Sequence, residues 1–371
     1  WSYTGTLGDN PMGIYLFTTQ TGINVFYNSI HLFGNTLNQT DALSIGICLG
    51  TGTVADLRNN ILVNNLGLLG AIGLGSCAIY AQTDNTQLTD INYNDYYVNP
   101  SGSGIKAIGK LSTTTTATTL AEWRMATGKD LYSVSGDPGF TSNTNLLPDG
   151  SNVNSWTVFN NGTHIAGITT DYAGNSRPLT PALGTPDMGA YEFGQPSISP
   201  NPVAFPPAIG QNIISFNGLP LFDVNFSNLG GITNLTVNNY QGVPPPGSGG
   251  DVPIYMNGYF VITQTGGAGY TYDITYTYSE AQLGTISSED KIRLAKSDDN
   301  GVTWVPYLTA GTGPGQYELN TVNNTIKVFG LISFSTFTIT DSDNPLPVQL
   351  ASFTSSINGR DVRLTWKTES E

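Results

Sequence analysis

Val25-Phe26-Tyr27-Asn28-Ser29-Ile30-His31-Leu32 decides the fold, because its pattern returns as Asp56-Leu57-Arg58-Asn59-Asn60-Ile61-Leu62-Val63 and again as Ile91-Asn92-Tyr93-Asn94-Asp95-Tyr96-Tyr97-Val98. Each copy reads as a strand, an Asn corner and a second strand. With Asn28, Asn59 and Asn94 aligned, the copies lie 31 and 35 residues apart, too far for a hairpin and about one repeat of a β-solenoid. A second set keeps step with the first: Gly13-Ile14-Tyr15, Gly46-Ile47-Cys48 and Ala78-Ile79-Tyr80. The double alignment predicts stacked repeats with Ile14, Ile47 and Ile79 inside and Asn28, Asn59 and Asn94 at equivalent corners. An Asn suits such a corner because it tolerates left-handed backbone and its amide can bond the same amide ~4.8 Å away in the next repeat.

Composition bounds the rest. The 371 residues suffice for two or three domains, charged residues make up only 11%, and the formal net charge is −14. Residues 1–194 carry 6 basic and 13 acidic side chains and residues 195–371 carry 7 and 14, so no basic patch invites nucleic acid or anionic lipid. No apolar run approaches the ~20 residues that span a bilayer, which argues against membrane insertion. The chain reads as an extracellular all-β protein. Cys48 and Cys77 lie 29 residues apart, about one repeat, and are either a disulfide or two small buried hydrophobes. Sequons at Asn38, Asn161, Asn225, Asn234 and Asn323 matter only in a host that glycosylates them. Trp1 follows no signal peptide and residue 371 falls just after a strand, so the chain reads as a piece of something longer.

Beyond the third repeat come a Gly- and Thr-rich loop, a short Trp-bearing helix at Leu120-Ala121-Glu122-Trp123-Arg124, Gly128-Lys129-Asp130, Ser133 and Asp137-Pro138-Gly139-Phe140. Asp171-Tyr172-Ala173-Gly174-Asn175-Ser176-Arg177 and Asp187-Met188-Gly189-Ala190-Tyr191-Glu192 follow. This succession resembles the carboxy-terminal end of right-handed parallel β-helix (pectin-lyase-like) proteins of bacterial surfaces, over roughly residues 14–194. Asp171, Gly174 and Arg177 fall at the Asp-x-x-Gly-x-x-Arg spacing. The closing segment is expected to cap the open end of the stack.

Ser197-Ile198-Ser199-Pro200-Asn201-Pro202 is a linker, and alternating strands follow at Phe222–Phe226, Leu235–Val237, Tyr259–Ile262, Tyr272–Tyr278, Ile292–Leu294, Thr325–Val328 and Phe334–Ile339. Strands at this spacing predict an antiparallel β-sandwich over residues 195–344, with Tyr272, Ile274, Tyr276 and Tyr278 on one face. Val243–Gly250 reads as a loop. Pro345-Leu346-Pro347-Val348-Gln349-Leu350 and Arg360-Asp361-Val362-Arg363-Leu364-Thr365-Trp366 resemble the start of the immunoglobulin- or fibronectin-like module that precedes the sorting domain in type IX secretion cargo. That resemblance makes residues 345–371 an incomplete third domain and implies a secreted or outer-surface bacterial protein.

Candidate sites are few. Arg58 with Asp56, Asp90 and Asp95 is the nearest thing to a lyase or hydrolase patch, but these read better as a surface ion pair on alternating strand residues. His31 and His164 lie far apart, His31 pointing outward, and neither joins a metal-ligand pattern. Gly67, Gly70 and Gly73 lack the Lys of a phosphate loop. Ser297-Asp298-Asp299-Asn300-Gly301-Val302-Thr303-Trp304 fits the Asp-box pattern familiar from sialidases, whose turn needs no calcium from Asp298, Asp299 and Asn300. Tyr93, Tyr96 and Tyr97 form either a row for sugar rings or ordinary core alternation. The expectation is a structural or adhesive surface protein, not an enzyme, with no catalytic, cofactor or metal residues; its partners are copies of itself, other envelope or matrix proteins, or glycans. The alternative is a carbohydrate-active or glycan-binding β-helix.

Overall fold

The computed structural model describes residues 10–17, 19–34, 43–67, 75–102, 104–247, 254–343, 350–358 and 361–368. The sequon at Asn38, the glycines Gly70 and Gly73, the end of the 243–250 loop and the segment 345–349 lie outside them. Chain contacts divide the protein into two units, residues 1–179, 185–199 and 216–219, and residues 180–184, 200–215 and 220–371. In both, strands are the main regular element.

In the first unit each repeat contributes three strands. They are β1 (Met12–Leu16), β2 (Ile23–Phe26) and β3 (Ser29–Leu32), then β4 (Leu43–Leu49), β5 (Ala55–Arg58) and β6 (Ile61–Asn64), then β7 (Gly75–Ala81), β8 (Leu88–Asn92) and β9 (Asp95–Val98). Like joins like in parallel, giving rows β1-β4-β7, β2-β5-β8 and β3-β6-β9. Ile14 pairs with Ile47 and Ile47 with Ile79, as their alignment predicts. Ile47, Leu57, Leu62, Ile79 and Ile91 are fully or almost fully buried between the three rows. Such a core repeats one apolar position per strand, which is why the sequence shows a period at all.

The corner corrects the alignment by one residue. Asn60, not Asn59, stands between Asn28 and Asn94: Asn28 Nδ2 donates to Asn60 Oδ1 at 3.0 Å and Asn60 Nδ2 to Asn94 Oδ1 at 3.0 Å. The spacings become 32 and 34 residues, more even than those first read. Left-handed backbone falls one position earlier, on Tyr27 (φ 55°), Asn59 (φ 59°) and Tyr93 (φ 56°). Two adjacent residues thus divide the two tasks assigned to one Asn. Cys48 pairs with Tyr80 and Cys77 with Ile45, and both cysteines are free and buried. Burial pushes both thiols up, Cys48 to about 11, so they serve as small hydrophobes.

The stack continues where the sequence suggested only loop. β10 (Lys106–Leu111) adds a fourth strand beside β7, and β11 (Thr115–Ala117) returns antiparallel to it. Gly109 takes the row position after Ile79, and a Cβ there would come within 2.3 Å of the Trp123 ring. Helix α1 (Leu120–Thr127), held by a Thr119–Glu122 capping box, therefore lays Trp123 over the end of the core, fully buried. Asp130 fixes the lid: its Oδ2 accepts from Trp123 Nε1 at 2.8 Å and Tyr96 Oη at 2.6 Å, and its Oδ1 from Ser133 Oγ. Ser133 in turn takes the next ladder position, accepting from Asn94 N at 2.8 Å. The helix and residues 128–134 close this end, whereas Asp171–Arg177 and Asp187–Glu192 lie along the flank. Asn59 bonds both backbone groups of Thr163, and Gly189 N donates to Asn59 O at 2.7 Å.

The second unit holds β12 (Val203–Phe205), β13 (Gly210–Phe216), β14 (Leu219–Asn228), β15 (Ile232–Gln241), β16 (Tyr255–Gly266), β17 (Thr271–Thr277), β18 (Ile292–Ser297), β19 (Val305–Pro306), β20 (Tyr317–Asn320), β21 (Thr325–Leu331) and β22 (Thr336–Asp341). They form one sheet of order β12-β15-β16-β22-β18-β19 and another of order β13-β14-β17-β21-β20, all paired antiparallel where register is defined. Tyr272, Ile274, Tyr276 and Tyr278 share one buried face, as alternation requires. Phe222 on β14 meets Phe260 on β16 at 4.3 Å, and Phe260 stacks on Phe337 at 5.3 Å, so the core is an aromatic seam between the two sheets. β23 (Leu350–Asn358) and β24 (Asp361–Thr368) pair antiparallel.

Candidate functional site

An open groove of about 530 Å³ runs along the flank of the first unit, where the first corner meets the segment that follows the lid. Tyr27 and Ser29 supply one wall, Thr144 and Thr170 hydroxyls another, and Tyr172 and Tyr191 the rim. Tyr172 is 81% exposed and stands edge-on to Tyr191, with ring centroids 5.6 Å apart.

The rim is held by a saturated carboxylate. Asp171 Oδ1 accepts from Ala173 N and Asn175 N, and Oδ2 from Asn175 Nδ2 and Glu192 N, all within 3.0 Å. Burial alone pushes Asp171 up, but these donors outweigh it and hold the carboxyl below its ordinary range. Tyr172 N donates to Ala190 O at 2.9 Å, so both rim tyrosines grow from the two motifs quoted from the sequence. Beneath them Arg177 lies 3.8 Å over the Tyr27 ring, donates to Gly189 O at 2.8 Å and pairs with Glu192.

Asp187, sealed from water, and Glu192, largely buried, lie around that one guanidinium. Burial, with mutual repulsion added, drives Asp187 well up, and burial drives Glu192 to about 7. The folded cluster therefore keeps a proton that the unfolded chain has already released, so this contribution to stability is full below about 4.5 and fades as pH rises to about 7. Thermal denaturation is expected to give a higher midpoint at pH 5 than at pH 8, and Glu192→Gln to narrow that gap. An unchanged gap would show that Glu192 ionises freely in the fold.

The residues picked out from the sequence do not converge. Arg58 donates to both oxygens of Asp56, at 2.8 and 2.6 Å, and lies 3.6 Å from Asp90. Asp95 is not part of that patch: it sits past the corner, fully buried, with Oδ1 accepting from Gly136 N at 3.1 Å. Burial holds its carboxyl well above the usual range. The tyrosine row also breaks up, because Tyr96 faces the core to reach Asp130 while Tyr93 stacks on Tyr132 at 5.2 Å. His31 packs against Phe33 and Phe140 rather than facing water, and burial lowers its pKa. In the Asp box, Asp299 takes Thr303 N, Thr303 Oγ1 and Ser297 Oγ, while Asp298 turns to Lys296 at 2.7 Å. Asn300 (φ 58°) and Gly301 (φ 88°) make the turn, and Trp304 is buried behind it. Asp298 and Asp299 are thus committed to different partners. Among the described residues no three His, Cys, Asp or Glu side chains group as a metal site.

No family model, curated protein or solved structure matches this chain. Its chemistry rests on its own residues. Within the groove the cation Arg177 is bonded to Glu192 and Gly189 O and lies over the Tyr27 ring, and Asp171 spends its lone pairs on the turn, so both charged groups already have partners. What remains is aromatic and aliphatic surface, hydroxyls and the Asn28 amide. Among the described residues no helix is long and apolar enough to cross a membrane. The groove tyrosines were in view in the sequence as parts of closing motifs, but no periodicity marks Tyr172 as exposed.

Proposed function

We propose that this chain is an adhesive, non-catalytic part of a secreted or cell-surface bacterial protein and that the flank groove binds neutral saccharides. In this reading the first unit is a right-handed parallel β-helix, since three parallel sheets are fed in rotation by successive repeats. The second is a β-sandwich, favoured by its aromatic seam between two antiparallel sheets, and β23-β24 opens an immunoglobulin- or fibronectin-like module. Such stalks work through partners: envelope or matrix proteins, glycans, or further copies.

The observation that carries the binding reading is the Tyr172–Tyr191 rim, an exposed aromatic face above hydroxyl-bearing walls, the combination that stacks on a sugar ring and bonds its hydroxyls. With Arg177 already paired, nothing in the groove rewards an acidic sugar over a neutral one. Calorimetric titration with neutral and uronic oligosaccharides is expected to show binding of the neutral set, weakened roughly tenfold by Tyr172→Ala, about 1.4 kcal/mol. Equal affinity in the variant would remove the groove from consideration. The same incubations are expected to release no reducing ends or unsaturated uronides; release abolished by Arg58→Ala would replace adhesion with catalysis.

A further inference from the structure

The Asn ladder has a direction. Asn60 Oδ1 receives the backbone N–H and amide of Asn28, both at 3.0 Å, and Asn94 Oδ1 receives those of Asn60, at 2.9 and 3.0 Å. Each also sends Nδ2 back to a strand carbonyl of the repeat before it, Asn60 to Val25 O at 2.8 Å and Asn94 to Leu57 O at 2.9 Å. Asn28 departs from this pattern twice. Its Nδ2 turns to Phe26 O of its own repeat at 3.0 Å, and its Oδ1 accepts from no described residue.

The same end of the stack is open in other respects. Among the described residues β1, β2 and β3 are the end strands of their sheets. Ile14, Leu16, Ile23 and Ile30 are only partly buried, while their row partners Ile47, Leu49, Ala55 and Leu62 are sealed. Tyr15 and Phe17 lie beside them in ring contact, Phe17 79% exposed. An edge of this kind pairs with whatever extended chain fits it.

We propose that this edge is the docking surface for one further strand–Asn–strand segment running in the same direction as β2 and β3. Its Asn donates backbone N–H and amide to Asn28 Oδ1, and its carbonyl three residues earlier accepts from Asn28 Nδ2, which swings off Phe26 O. A second copy of this chain fits badly. Edge to edge about a two-fold axis it would set Asn28 Oδ1 against Asn28 Oδ1, acceptor on acceptor, and end to end its far face is closed by α1 and Trp123. The proposal does not depend on the groove.

The test uses the full chain and a fluorescent peptide of residues 53–67, which carries Leu57, Asn60 and both flanking strands. Saturable anisotropy is expected, with roughly tenfold weaker binding of the peptide bearing N60A, since the amide donor to Asn28 Oδ1 is lost and only the backbone N–H remains. No saturable binding, or equal affinity for the two peptides, would overturn the proposal. So would sedimentation showing the chain alone to be a dimer that the peptide cannot enter, which would assign the edge to a second copy.

Discussion

Asp130→Ala is expected to unfold the first unit at room temperature or leave it on the brink. The substitution strips one acceptor from Trp123 Nε1, Tyr96 Oη and Ser133 Oγ together, and all three residues are sealed from water. A buried donor left unpaired costs about 1–3 kcal/mol, so three cost on the order of 3–9, comparable with the whole stability of a domain. The loss is also structural. With Trp123 free to tilt, the end of the stack around Gly109 opens to solvent. Asp130→Asn keeps one acceptor oxygen and should fall between, which separates lost hydrogen bonding from lost charge. Calorimetry would show the first-unit transition vanish in the Ala variant and shift in the Asn variant. An Ala variant melting within a few degrees of the parent would mean that the lid stands without its carboxylate.

Asn60→Ala is the second large effect, at roughly 3–5 kcal/mol. Asn60 occupies the middle of the ladder: its loss leaves Asn28 N without its acceptor and Asn28 Nδ2 with only Phe26 O, takes the amide donor from Val25 O, and leaves Asn94 Oδ1 only the backbone N–H of residue 60. The site is fully buried, so water cannot replace these partners without opening the corner. Asn28→Ala should cost less, because Asn28 is half-exposed and its removal strands acceptors rather than buried donors. Denaturant titration of the two variants orders them. If Asn28→Ala were the more damaging, the ladder would not be the element that fixes the corner.

The ladder also shows where sequence reading stops. The stacked row Ile14, Ile47 and Ile79 was legible, since a position that faces the core in successive repeats stays apolar. At the corner Asn59 and Asn60 are adjacent and chemically identical, and choosing between them requires knowing which one has positive φ; Tyr27 and Tyr93, at the positive-φ positions of the other repeats, gave no hint. β10 went unread because its row position is a glycine, whose missing side chain is replaced by Trp123 from a helix further along the chain.

Composition and periodicity therefore determined a mostly-β chain, the stacking of its repeats, the alternating face of β17 and the Asp-box turn, all of which depend on neighbours in sequence or on one repeating interval. Tertiary structure alone decided the rest. Asp56 and Asp95 look equivalent in the text, yet one is a half-exposed ion-pair partner and the other a sealed carboxyl that burial holds well above the usual range, because the chain turns the corner between them. Tyr96 and Tyr172 are likewise both tyrosines in quoted motifs; burial against Asp130 makes the first a structural pin, and the second stands exposed on the flank. Burial and partnership are properties of residues distant in the chain, and no local pattern records them.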